Sequence, residues 1–152
     1  MNTMVCSSQD IWYDIGKSLV ESQADEEVLA AYNRAIQIQP DDYQVWYERG
    51  WTLSQLELYE EAVAAYDQAI EIKPDHDRAW YNRGLVLSRL KRYEEAIASF
   101  EKAIAFKPDD YQAWYFRGWA LSQLQRFEEA DASLEQAIRI KPDYKMGISI
   151  CS

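Results

Sequence analysis

The chain has 152 residues and an apolar fraction of 48%, which is enough to bury the core of one ordinary domain and argues against global disorder. Its formal net charge of −10 at pH 7 argues against a general affinity for nucleic-acid phosphates or anionic membranes, and it favours a partner with basic character. No stretch is long and apolar enough to span a bilayer, and residues 1–10 show no secretory signal, so we expect a cytoplasmic protein.

Three residue types recur along the chain at one fixed interval, which is the separation between Pro40 and Pro74 and is called the repeat interval below. They are Trp12, Trp46, Trp80 and Trp114, then Gly16, Gly50, Gly84 and Gly118, and then Pro40, Pro74, Pro108 and Pro142. A period in this range indicates a stack of similar supersecondary units. We therefore predict an N-terminal tail, four repeats and a C-terminal tail, with the bounds 1–8, 9–42, 43–76, 77–110, 111–144 and 145–152.

The third repeat, 77–110, predicts a helix, a short turn and a second helix. One apolar face has helical spacing in each half: Trp80, Gly84 and Leu87 in the first, and Ala96, Phe100, Ala103 and Ile104 in the second. Glu94 and Glu95 suit the positive end of the second helix dipole. Pro108 is typical of a helix stop because it has no backbone donor, and Asp109 and Asp110 follow as candidate caps of the next helix.

Small residues predict where the two helices of a repeat approach each other. Gly84 and Ala96 lack bulk on the facing helices, and we expect Trp80 to fill the larger space beside them. Gly50 with Ala62, and Gly118 with Ala130, repeat the pattern.

These residues resemble the tetratricopeptide repeat, whose pattern is W-x2-L-G-x2-Y, then A-x3-F, then P. The resemblance covers nearly the whole chain and implies an all-α, right-handed α-solenoid of four helix-turn-helix repeats. This chain departs from the pattern at the residue before the glycine, where it has an arginine in three repeats: Arg49, Arg83 and Arg117. We expect each arginine to pair with an acid on a second helix of its own or an adjacent repeat (Asp67, Glu101 and Glu135), the alternative being independent solvated charges.

In this family the first helix of each repeat lines the concave side of the solenoid, which implies a partner-binding groove. The predicted groove residues are Tyr13, Gln44, Tyr47, Trp51, Arg78, Tyr81, Asn82, Arg89, Gln112, Tyr115, Trp119 and Gln123. Exposed aromatic rings with polar neighbours suit peptide capture. Arg78 and Arg89 suit an acidic side chain or a terminal carboxylate. The tyrosines have a second interpretation, namely packing between repeats.

Other functional classes lack the residues that they need. The single histidine, His76, falls in a turn and is interpreted as a solvated loop residue, and isolated helical glycines form no phosphate loop. Cys6 and Cys151 form no metal motif and are expected to stay reduced. The groove lacks the lysine and asparagine of a chaperone-tail clamp, and its charge disfavours the helical repeats that read RNA. We therefore expect no enzyme, no cofactor, no metal and no nucleic-acid partner.

The sequence thus predicts a protein–protein interaction module or scaffold that holds a peptide segment or helix of a partner. The alternative is a self-assembly module, or a piece of a longer repeat protein, with contacts through the last repeat. That alternative rests on apolar residues of the outer face, including Ala132, Leu134 and Ile138, which 145–152 is too short to cover with a helix pair.

Overall fold

The structure is a computed structural model that describes residues 25–143. Within that range the chain forms seven α-helices and no strand, which confirms the all-α prediction. The helices are α1 (Asp25–Ile38), α2 (Tyr43–Gln55), α3 (Tyr59–Ile72), α4 (Asp77–Arg89), α5 (Tyr93–Phe106), α6 (Tyr111–Gln123) and α7 (Phe127–Ile140). The expectations for Trp12, Tyr13, Gly16 and the 145–152 segment lie outside the described residues.

The described residues divide into two compact units, residues 25–74 and residues 75–143. In the first unit, α1 contacts α2 and α2 packs against α3. In the second unit, α4 packs against α5, α5 against α6, and α6 against α7, while α4 also contacts α6. This succession of helix pairs is the architecture of a helical-repeat solenoid. The exact repeat bounds stay a prediction.

Side-chain caps define the start of the first helix in three pairs. The carboxylate of Asp42 accepts the backbone N–H of Gln44 at 2.9 Å, and that of Asp110 accepts the N–H of Gln112 at 3.1 Å. His76 takes the equivalent place before α4, where its Nδ1 accepts the N–H of Ala79 at 3.4 Å. The expectation that His76 is a solvated loop residue is therefore wrong, because its half-buried ring is an N-cap.

The turn inside each helix pair contains a residue in the left-handed conformation. Glu57, Lys91 and Gln125 have φ values of 61°, 61° and 63°. In the second unit, Lys91 N–H donates to the Ser88 carbonyl and the next N–H donates to the Leu87 carbonyl, both at 2.9 Å. This is a Schellman ending, which glycine usually occupies. Nothing in the sequence marked these turns, because charged or amide side chains stand where glycine is typical.

An aromatic ring lies against the backbone of the first helix at the repeated glycine. A Cβ added to Gly84 would lie 2.6 Å from Cε1 of Phe100, and one added to Gly50 would lie 2.8 Å from Cε1 of Tyr66. The predicted close approach is confirmed, but its nearest partner at Gly84 is Phe100 and not Ala96. At Gly118 the added Cβ would lie 3.0 Å from the carbonyl oxygen of Ala130, so the approach of two backbones is confirmed there.

The repeated tryptophans make polar contacts with the backbone or with a lysine. Trp46 and Trp114 are half-buried, and their indole N–H groups donate to the carbonyl oxygens of Pro40 at 3.0 Å and Pro108 at 2.9 Å. Trp80 is also half-buried, with Nζ of Lys102 at 5.9 Å from its ring centroid. Tryptophan and proline therefore recur at the same interval for a physical reason. Each of these two indoles donates a hydrogen bond to the carbonyl of the proline that precedes its own helix.

The repeated arginines join successive helices. Arg117 donates to Glu101 on the preceding helix α5 at 2.9 Å, which confirms the pairing with an adjacent acid at this position. Arg117 also donates to the buried hydroxyl of Ser133 on α7. Arg83 donates to the equivalent Ser99 at 2.7 Å.

In the first unit the arginine has an amide partner instead of an acid. Nε of Arg49 donates to Oδ1 of Asn33 at 3.3 Å. Burial lowers the pKa of Arg49, and the nearby Glu61 carboxylate opposes that shift. The pairing prediction, which required an acid, is wrong at this contact.

We predict that Gly84→Ala lowers the free energy of unfolding by about 1–3 kcal/mol, because the new methyl group collides with the Phe100 ring. Urea denaturation followed by helical circular dichroism measures the change. The control is Gly84→Ala combined with Phe100→Leu, since a leucine faces the glycine in the last pair and leaves more room. An unchanged midpoint for Gly84→Ala alone would refute the close approach.

Candidate functional site

Helices α4 and α6 place eight of the predicted partner-binding residues in the second unit. They are Arg78, Tyr81, Asn82 and Arg89 on α4, and Gln112, Tyr115, Trp119 and Gln123 on α6. Their spacing of three, four or seven positions puts each set on one side of its helix. Arg89, Trp119 and Gln123 are exposed, Arg78, Asn82, Gln112 and Tyr115 are half-buried, and Tyr81 is buried.

Tyr81 belongs to the core of the second unit. Only 5% of Tyr81 is exposed, and its ring centroid lies 6.0 Å from that of Phe100 and 6.1 Å from that of Phe116. The expectation that Tyr81 stands on an exposed stripe is therefore wrong, and its packing interpretation is correct. Tyr115 is less enclosed, with its ring 5.0 Å from Phe116 in an edge-on contact.

The first unit supplies three further predicted residues on α2. Tyr47 is half-buried and its ring lies 5.8 Å from that of Tyr66, whose phenol has its pKa raised by burial. Trp51 is half-buried as well, and the exposed Gln44 donates from Nε2 to Glu48 at 3.0 Å. Tyr13 lies outside the described residues.

Among the described residues of the predicted set, Trp119 is the most open aromatic side chain. It remains 36% exposed, while its ring makes an edge-on contact with Tyr93 at 5.8 Å. Tyr93 begins α5, so the contact fixes one edge of the indole against the preceding helix. The exposed part of the indole is apolar area open to solvent.

Arg78 is held beside α6 by an acid that also caps that helix. Its guanidinium lies 4.3 Å from the Tyr81 ring centroid, and Nη1 lies 3.6 Å from Oδ2 of Asp110. Only 6% of Asp110 is exposed, and its Oδ1 also accepts the N–H of Ala113 at 3.2 Å. Arg78 therefore already faces one carboxylate, which reduces the charge that it presents to another.

Charge is separated between the two kinds of helix in the second unit. Helices α4 and α6 carry four arginines and one aspartate: Arg78, Arg83, Arg89, Arg117 and Asp77. Helices α5 and α7 carry seven acids and two bases: Glu94, Glu95, Glu101, Glu128, Glu129, Asp131, Glu135, Lys102 and Arg139. The predicted surface thus lies on the less acidic helices of a strongly acidic chain.

Family models match this sequence over most of its described length. Two models described as tetratricopeptide repeat match residues 47–110 and 111–144. The chain belongs to the tetratricopeptide repeat family. A model described as protein prenyltransferase alpha subunit repeat also matches residues 25–56, which contain α1 and α2. No curated protein matches the sequence significantly.

Solved structures of MamA are similar in fold. One titled crystal structure of MamA has a TM-score of 0.82 and 19% identity, and the match covers 91% of this chain and 81% of that one. MamA from Desulfovibrio magneticus RS-1, residue 41 to the end, has a TM-score of 0.80 and 24% identity, with 91% and 78% covered. At this identity the likeness concerns the fold alone.

Membership in this family defines the broad role of the chain as a protein-interaction or scaffold module. Among the described helices, none is long and apolar enough to cross a membrane. Residues 25–143 also hold no group of three or more side chains that could bind a metal ion.

Sequence reasoning missed two residues that shape the surface, Tyr93 and Phe116, and one role of a third, Asp110, which it predicted only as a helix cap. Tyr93 supports Trp119, Phe116 encloses Tyr81, and Asp110 holds Arg78 as well as its own helix. The sequence contained a pattern that could have identified Tyr93, because aromatic residues recur at the repeat interval as Tyr59, Tyr93 and Phe127. No such pattern identified Phe116, since the equivalent residue one repeat earlier is Asn82.

We predict that Asp110→Ala lowers the free energy of unfolding by about 1–2 kcal/mol, because α6 loses its N-cap and Arg78 loses its carboxylate. Asp110→Asn keeps a capping oxygen and should lose less. Chemical denaturation of both variants measures the difference. Asp109→Ala is the matched control, because Asp109 is exposed and its substitution should leave stability unchanged. Equal losses at the two aspartates would contradict the assignment.

Proposed function

We propose that this chain is a scaffold that binds a peptide segment or helix of a partner protein on helices α4 and α6 of its second unit, through the predicted groove residues there other than the buried Tyr81. The observation that carries the proposal is Trp119, which is 36% exposed yet fixed against Tyr93. An aromatic side chain that is both open and held in place is typical of a binding hot spot. Tyr115, half-buried one turn earlier on α6, extends the same apolar area.

Polar side chains beside these rings supply the orientation of a bound segment. Asn82, Gln112 and Gln123 carry amides that both donate to and accept from a peptide backbone. Arg89 is exposed in the last turn of α4 and adds positive charge at one end of the surface. A segment with apolar side chains for Trp119 and Tyr115, and an acid near Arg89, fits this arrangement.

A binding role without catalysis, cofactor or nucleic acid agrees with the remaining residues. His76, the single histidine, serves as the N-cap of α4, and the paired glutamates at the start of α5 suit the helix dipole. The net charge of −10 disfavours a nucleic-acid partner. We place the protein in the cytoplasm on its sequence alone.

Self-assembly is the second candidate function, and the exposure of α7 favours it. Phe127, the first residue of α7, is 59% exposed, which is the largest exposure among the large apolar side chains of the described part of the chain. An exposed apolar residue of this kind on the last described helix is a site where another chain can pack.

We expect Trp119→Ala to weaken the binding of a groove ligand by about tenfold or more, the loss typical of a buried aromatic hot spot. The ligand is a peptide selected from a displayed random library on the natural chain, and fluorescence anisotropy measures its affinity. The matched control is Phe106→Ala, which removes an exposed aromatic ring from α5, away from the first helices. Circular dichroism checks that both variants keep their helicity.

Two outcomes would count against the groove. Selected peptides that bind Trp119→Ala as tightly as the natural chain would place the binding surface elsewhere. Sedimentation that shows only self-association, abolished by Phe127→Ala, would favour the self-assembly role.

A further inference from the structure

Helix α6 covers the outer face of α5 through three side-chain contacts. The ring of Trp119 meets that of Tyr93 edge-on at 5.8 Å, and the ring of Phe116 stacks on that of Phe100 at 6.3 Å. Arg117 completes the set through its 2.9 Å ion pair with Glu101. Three side chains of α6 thus have one partner each on α5. Phe116 packs on the core ring of Phe100, Arg117 pairs with the carboxylate of Glu101, and Trp119 contacts the ring of Tyr93.

Helix α7 presents equivalent acceptors one repeat interval further along the chain. Phe127 stands where Tyr93 does, Leu134 where Phe100 does, and Glu135 where Glu101 does. Phe127 is 59% exposed, Leu134 is half-buried although Phe100 is fully buried, and Glu135 is exposed. Within residues 25–143 no helix covers these three side chains as α6 covers their counterparts on α5.

The charge of this face selects the kind of occupant. Asp131 is exposed where the equivalent Ile97 of α5 is buried, so α7 adds a carboxylate to a face that is apolar one repeat earlier. The whole of α7 carries four acids and one arginine. Two copies of α7 would repel each other across such a contact, whereas a basic helix would be attracted.

The segment that follows in the sequence does not reproduce the pattern of α6. One repeat interval after Arg117 the chain has Cys151, and one interval after Trp114 it has Ile148. Residues 145–152 therefore contain no arginine that could donate a hydrogen bond to the Glu135 carboxylate. In the described part of the chain, Arg49, Arg83 and Arg117 each already bond a neighbouring helix.

We infer that the outer face of α7, formed by Phe127, Leu134 and Glu135, is a docking surface for a basic amphipathic helix of a partner protein. That helix carries an arginine with an apolar residue immediately before it and an aromatic residue two positions after it. The surface lies on a second helix, so it is distinct from the groove residues and does not depend on the groove proposal.

The test uses the full chain and a fluorescein-labelled, helix-stabilised peptide with the sequence of residues 111–126, because that segment makes the three contacts on α5. We expect saturable binding in an anisotropy titration, weakened about tenfold or more by Phe127→Ala and by Glu135→Lys. A peptide with glutamate in place of the arginine that corresponds to Arg117 should bind the natural chain poorly and regain affinity for the Glu135→Lys chain. Phe106→Ala is the control and should leave binding unchanged.

Four outcomes would overturn the inference. Absence of saturable binding would refute a docking surface on α7. Peptide binding that is weakened by Glu101→Lys but not by Glu135→Lys would mean that the peptide displaces α6 from α5. Binding that requires deletion of residues 145–152 would assign the face to the chain's own segment. A dimer that dissociates on Phe127→Ala would assign it to a second copy.

Discussion

The contact between the Phe100 ring and the backbone of α4 at Gly84 is the constraint on which the second unit depends. A Cβ at this glycine would lie 2.6 Å from the ring, so the two helices pack at a distance that only a missing side chain permits. Close packing here buries Leu87, Ala96 and Ala103 completely and decides which side of α4 faces inward. On α6, the equivalent first helix of the next pair, Gly118 and Leu121 occupy the core side. Trp119 therefore lies on the exposed side of α6.

Contacts between successive helix pairs run in one direction along the second unit. Arg117 reaches back to Glu101, the indole of Trp114 bonds the Pro108 carbonyl, and Trp119 covers Tyr93. Each pair is therefore completed by the pair that follows it, as expected where a repeat contacts only its neighbours. The same rule supports Trp119 of α6 against Tyr93 and leaves Phe127 of α7 exposed.

Periodicity predicted the helix pairs because apolar spacing and proline stops act locally, and it located Asp110 as a cap for the same reason. Periodicity did not predict features that depend on contacts between residues of different helices. Tyr81 shares its helical side with polar residues, yet Phe116 on another helix buries it. Lys91 adopts a positive φ because two backbone hydrogen bonds of the turn require it, not because its side chain favours it. Ser99 could not be predicted as a partner of Arg83 from charge, because its hydroxyl is neutral.

The central claim is that Trp119 belongs to a binding surface whereas Trp114, earlier on the same helix, is part of the packing between pairs. The indole N–H signals in nitrogen-15 NMR spectra test this most directly, recorded while a selected peptide is added to the natural chain. We predict that the Trp119 signal shifts with saturation, while the Trp46 and Trp114 signals, whose N–H groups donate to the Pro40 and Pro108 carbonyls, stay in place. A peptide that binds without moving the Trp119 signal would contradict the account.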